Sequence, residues 1–149
     1  MNTTDFTFLF TKELKKLSDE LAQYATNDDV WKKAPGISNS AGHLCQHLIG
    51  NLKTFIGAGL GGFAYTRERD KEFNARQFNK EQLLQLLTET SDIVKQTFEK
   101  MDAATLAAPY PKDYLTIAEN QTTELVLTYL LAHASYHIGQ VNYHRRLLQ

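Results

Sequence analysis

The chain has 149 residues, 16 Lys and Arg against 17 Asp and Glu, a formal charge of −1, 42% hydrophobic and 11% aromatic residues. These values exclude a disordered tail or a collagen-like repeat, and the length predicts one domain, residues 1–149, with a core of its own. The charge balance argues against nucleic acid as a partner, no apolar run approaches the ~20 residues of a membrane span, and a single cysteine, Cys45, excludes an internal disulfide and a Cys-based zinc site.

The first ten residues carry no basic cluster, and Lys12 and Glu13 interrupt the apolar stretch early, so no secretory signal is expected and the cytoplasm is the expected compartment. A first helix is predicted from about Asp5 to Tyr24, because Phe6, Phe10, Leu14, Leu17, Leu21 and Tyr24 recur every three or four residues. Asn27-Asp-Asp breaks it, and Pro35-Gly36 lies in the connection. A second helix is expected from Ser38–Ser40 to about Gly57. Serine there can cap free backbone N–H groups, Leu44, Leu48 and Phe55 form the apolar side, and the glycines from Gly57 to Gly62 are expected to stop it. A polar loop, Tyr65 to Phe73, follows.

The third helix is predicted to begin near Asn79, with Gln82 completing a capping box and Leu83, Leu86, Leu87, Ile93, Val94 and Phe98 facing the core. Pro109 and Pro111 mark a loop in which Tyr114–Ile117 is a candidate extended piece. The fourth helix runs from Thr122 or Thr123 to Leu147, with Leu125, Val126, Tyr129, Leu130, Ile138 and Val141 as its expected buried side. Four amphipathic helices without a convincing strand set predict an all-α four-helix bundle, with a long crossover between the second and third helices.

All five histidines, His43, His47, His133, His137 and His144, fall on the second and fourth helices. Positions i and i+4 of a helix lie about 40° apart and ~6 Å along the axis. His43/His47 and His133/His137 are therefore two same-face pairs, and two such imidazoles can reach one ion. A single buried histidine is ordinarily a satisfied core residue. An inward-facing pair plus a histidine from another helix points instead to a divalent ion, which satisfies three lone pairs at once. His144, seven residues beyond His137, lies about 10 Å up the axis and is a poor third ligand. No glutamate accompanies the motif as in the zinc-protease pattern, since Ala134 and Ser135 follow His133. Gly57 to Gly62 contains a G-x-G-x-x-G string, but it follows a helix, which removes the dinucleotide reading. Cys45 points about 200° away from both neighbouring histidines, as a structural thiol would. Arg67 to Glu72 reads as a solvated charged loop or as a rim that takes an anionic group through Arg67 or Arg69. Tyr129, Tyr136 and Tyr143 recur every seven residues, a packing or dimer seam.

Three stretches, Asn39–Asn51, Tyr65–Phe73 and His133-Ala-Ser-Tyr-His137-Ile-Gly-Gln140, resemble the DinB/YfiT-like superfamily, in order and across essentially the whole chain. The resemblance implies a four-helix bundle, often a homodimer, that holds a divalent metal with three histidines. On this sequence those ligands match His47, in the stretch His47-Leu-Ile-Gly-Asn51, together with His133 and His137. His43 becomes an extra histidine: an outer group, a fourth ligand or an alternative ligand. Asn51 and Gln140 are candidate outer-shell groups. Characterised members of the superfamily include metal-dependent transferases that join low-molecular-weight thiols to electrophiles, a related isomerase, and proteins described as metal-dependent hydrolases. A small-molecule substrate follows from that resemblance. The expectation is a metal-dependent enzyme that activates a thiol or water, with zinc or nickel first and iron or manganese next, and with no general base named. The competing expectations are a non-enzymatic metal-binding bundle and a dimeric interaction protein whose histidines only pack.

Overall fold

A computed structural model describes residues 1–148 of the chain. Helix α1 spans Thr3–Ala22. It opens on a reciprocal cap, in which the Asp5 backbone N–H donates to Asn2 Oδ1 at 2.8 Å and the Asn2 N–H donates to Asp5 Oδ2 at 3.1 Å. Phe6, Phe10, Leu14, Leu17 and Leu21 form its buried stripe, as their spacing predicts. Helix α2, Asn27–Trp31, is a short turn that buries Val30 and Trp31. Helix α3, Ala41–Leu52, begins on Ser40, whose Oγ accepts from the His43 N–H.

The second predicted helix is stopped within its glycine cluster, but later than Gly57. After Leu52 the chain continues as a π-helical segment, Lys53–Ala58, and then α4, Gly59–Gly61. A Cβ on Gly57 would stand 2.9 Å from Ile93 Cγ2, so this glycine lets the segment press against a neighbouring helix. The stop comes at Gly62, whose φ of +71° is the left-handed conformation that favours glycine. The charged Tyr65–Phe73 stretch is also not all loop, because Arg69–Asn74 forms α5.

Helix α6, Lys80–Glu99, carries the predicted Asn79/Gln82 capping box. Helix α7 is Ala103–Ala107, and α8, the longest, is Thr123–Leu148. Tyr114–Ile117 is not a strand. Among the described residues the only β-type pairing is an isolated bridge between Pro109 and Thr122.

Side-chain contacts fix the helix directions. Met1 pairs with Glu124 and Tyr24 meets His144, so α1 and α8 run parallel. Phe6 and Phe10 pack on Phe98, while Lys80 Nζ bonds the Tyr24 carbonyl, so α6 runs antiparallel to α1. Helices α1 and α3 each pack between α6 and α8 and lie diagonally across the bundle. Helices α3 and α6 run the same way, which the crossover from Gly62 to Asn79 permits.

Two phase expectations hold only in part. Every residue of α3 is buried, so it has no wet side, because α2, α5, α6 and α8 enclose it. On α8 the buried stripe is Val126, Leu127, Leu130, Ala134, Ile138 and Val141, whereas Leu125 and Tyr129 are exposed. Among the described residues no helix is long and apolar enough to cross a membrane.

Candidate metal centre

The antiparallel contact of α3 with α8 brings three imidazoles together. His47 Nε2 lies 3.2 Å from His133 Nε2, and His137 Nε2 lies 3.2 Å from the same atom. The nitrogens of all three lie within 4.8 Å of one another. The rings stand nearly perpendicular to each other, with interplanar angles of 73° to 87°. His47 is buried, while His133 and His137 are half-buried. The centre is therefore rooted in the bundle and open on the α8 side.

Two of the rings have their protons placed by neighbours. His47 Nδ1 lies 3.1 Å from Glu72 Oε1. A carboxylate only accepts, so Nδ1 carries the proton and Nε2 keeps a lone pair. His137 Nδ1 donates to Gln140 Oε1 at 2.6 Å, with the same consequence. His133 has no such helper, since its buried Nδ1 has no protein partner. With its proton on Nε2 it can donate to one neighbour at a time; with its proton on Nδ1, three lone pairs face one another.

A cation resolves either state. A tetrahedral zinc ion with Zn–N of 2.0–2.1 Å needs ligand nitrogens roughly 3.3 Å apart, close to the two 3.2 Å separations found here. The three histidines could thus hold one metal ion. Burial pushes the His133 imidazole down to about 4, helped by neighbouring His137 and His47, and burial also lowers His137. Both rings are held in the neutral form that ligates metal.

Sequence reasoning missed the support under His47. Arg67 clamps Glu72 with two hydrogen bonds, Nε to Oε2 and Nη2 to Oε1, each 2.9 Å. Burial would raise the Glu72 carboxyl, but the hydrogen bonds from His47 and Arg67 and the Arg67 charge hold it below the usual carboxylate range. Glu72 is 4% exposed although it sits in the most charged stretch of the chain. Gly50, one turn beyond Gln46, makes room for it: a Cβ there would collide with Glu72 Oε2. Gln46 secures the same segment, its Nε2 donating to the Glu72 and Ala75 carbonyls at 3.1 and 2.9 Å. The readable signal was Gly50, a glycine in the interior of the helix one turn from Gln46.

The other candidates fall elsewhere. His43 does not join the three. Its Nδ1 bonds Ser40 Oγ at 2.7 Å, and its ring stands edge-on to Trp31. Asn51 lies one turn beyond His47, buried, with Oδ1 lacking a protein partner. Gln140 bonds His137, as above. His144 is buried with both ring nitrogens engaged, Nε2 donating to the Lys32 carbonyl at 2.6 Å and Nδ1 meeting Tyr24 Oη at 2.5 Å. Cys45 is fully buried and its thiol is pushed up by burial, as expected of an inert core cysteine. Tyr129 stacks on His133 and Tyr136 stands edge-on to His137, so two of the three heptad-spaced tyrosines frame the centre.

Fold and site together define a class: an all-α bundle carrying a three-histidine group able to hold a metal ion. Residues 4–149 match the family described as protein of unknown function DUF1572, and the chain belongs to that family. None of the curated proteins matches it. A solved structure titled "Crystal structure of the conserved protein of locus from Enterococcus faecalis" is 18% identical, with a TM-score of 0.75 over 99% of this chain and 97% of that one; the likeness is one of fold.

Proposed function

We propose that this protein is a metal-dependent enzyme of the DinB/YfiT-like type, acting on a small molecule by activating a low-molecular-weight thiol, as an S-transferase, or water, as a hydrolase. The observation that carries the reading is the convergence of three Nε2 atoms, two of them with protons fixed on the opposite nitrogen by Glu72 and Gln140. His47, His133 and His137 would hold the ion, zinc or nickel first, with iron or manganese next. When bound, a divalent ion makes a thiol or water more acidic and hence a nucleophile near neutral pH.

The chain's own residues do the rest. Glu72 orients His47 and makes it a stronger donor, and Gln140 does the same for His137. Arg67 keeps Glu72 ionised. Three neutral imidazoles leave the ion's full charge available to a reactant, unlike a closed cysteine site. The half-exposure of His133 and His137 gives a small reactant a way in. A homodimer belongs to the same reading. Tyr136, Tyr143 and Leu147, each more than 60% exposed on α8, offer apolar surface that a second copy would cover, and light scattering in solution tests this.

The enzymatic reading is tested by loading the tag-free protein with zinc or nickel. Transfer of small thiols to monochlorobimane is then assayed beside ester and amide hydrolysis. Metal-dependent turnover that disappears in His133→Ala is the expected result. Turnover that survives unchanged in that variant, or its absence across the panel in fully loaded protein, contradicts the proposal.

A further inference from the structure

The charged stretch before α5 contains two arginines, and the structure separates their duties. Arg67 is committed: its side chain is 13% exposed and both carboxylate oxygens of Glu72 occupy it. Its guanidinium also lies over the Phe55 ring. Arg69 is exposed, and among the described residues it has no carboxylate partner. Its guanidinium stacks on Phe73, 5.5 Å from the ring centroid, and that ring also packs on the His47 imidazole, at 4.8 Å between centroids. One phenyl ring thus lies between the Arg69 guanidinium and the His47 imidazole.

We infer that Arg69 is a specificity determinant for this site, binding a carboxylate carried by the small substrate while the substrate's reacting atom sits at His47, His133 and His137. This rests on the metal-dependent reading above.

Three observations support it. Stacking on Phe73 restricts the guanidinium, so less rotamer freedom remains to be lost on binding. Its planar fork matches a carboxylate with two parallel N–H···O bonds. The guanidinium stands one aromatic ring away from the His47 imidazole. With a dication at the histidines and Arg69 one ring away from His47, the field around the site would be positive. The site favours an anionic reactant, disfavours an ammonium-bearing one, and takes a neutral one without orienting it.

The test uses matched thiols on the cobalt(II)-loaded full chain, where the sulfur-to-cobalt charge-transfer band reports thiolate binding. The probes are 3-mercaptopropionate, 2-mercaptoethanol and cysteamine. Wild-type protein is expected to rank them in that order. The preference for the carboxylate over the neutral thiol should fall about tenfold in Arg69→Gln, the size of one charge-assisted contact. Arg69→Lys should keep part of it, and added salt should shrink the wild-type preference. Because Arg69 is exposed, the cobalt affinity of the variant is expected to match wild type, which separates recognition from damage to the centre. Equal affinities for the carboxylate and neutral thiols, a preference unchanged in Arg69→Gln, or no band with any thiol on cobalt-loaded protein overturns the inference while leaving the metal site standing. Failure of cobalt to bind at all removes the metal-dependent reading, and this inference with it.

Discussion

Helix α8 carries two kinds of histidine, and their difference separates packing from chemistry. His144 is 3% exposed, with one nitrogen on the Lys32 carbonyl and the other on Tyr24. It ties the end of α8 to the end of α1 and to the chain after α2. Eleven residues earlier, His133 is half-buried, its Nδ1 has no protein partner, and its Nε2 faces two further Nε2 atoms. Burial alone is not the criterion, since His47 in the centre is buried much as His144 is. The number of protein partners left for each nitrogen is the criterion. A histidine whose hydrogen bonds close within the fold holds the fold together, and one whose lone pair is left over is available to a ligand.

The sharpest break in this contrast is substitution of one residue of each kind. His133→Ala is expected to weaken zinc or nickel binding by at least ~100-fold, more than loss of a supporting residue, while His144→Ala leaves the affinity unchanged. Calorimetric titration of both variants checks the pair, and equal losses would erase the distinction. Next is Glu72→Gln, which keeps shape but removes the charge beneath His47. It should weaken metal binding ~10–100-fold, whereas Gln140→Ala, which removes a neutral partner from His137, should cost less. In the packing arm, Tyr24→Phe takes the hydroxyl from His144 and should cost about 1–3 kcal/mol of stability, the penalty of a buried group left unpaired. Denaturant unfolding reads that cost, and metal affinity should stay at the wild-type value.

The smallest expected effect is in pH. The folded state holds His133 near 4, against an ordinary value of 6.5. Between those values the unfolded chain binds the extra proton, so metal-free protein should lose stability as pH falls from 6.5 toward 4. Half-exposure of the ring keeps this slope shallow. His133→Gln should flatten it, measured as unfolding midpoint against pH, and a slope unchanged in that variant contradicts the assignment.

Much of the bundle was legible. The stripes of α1 and α6 and the Asn79 cap follow from residue spacing alone, because each of these helices has one dry face and one wet face. Spacing failed on α3, which is buried all round and so has no periodic contrast to read. Termination within the glycine cluster was legible and falls at Gly62, but spacing did not show that Gly57 and Gly61 also serve close packing on α6. At the centre, spacing paired His133 with His137, and the family resemblance chose His47 from helix two. Glu72 was invisible because His47 and Gly50 lie more than twenty residues away, and beside its near partner Arg67 it looks like one half of a solvated ion pair. Arg67 and Arg69 are alike in sequence and differ only in what the fold places beside them.

The central claim is that three imidazoles share one divalent ion. Its most direct measurement is the metal content of the tag-free chain, purified without imidazole and dialysed against zinc or nickel. Wild type should retain one ion per chain, and the His47→Ala, His133→Ala and His137→Ala variants should each lose it while His43→Ala and His144→Ala keep it. A chain that retains none, or one that retains its ion in all three of the first group, contradicts the account.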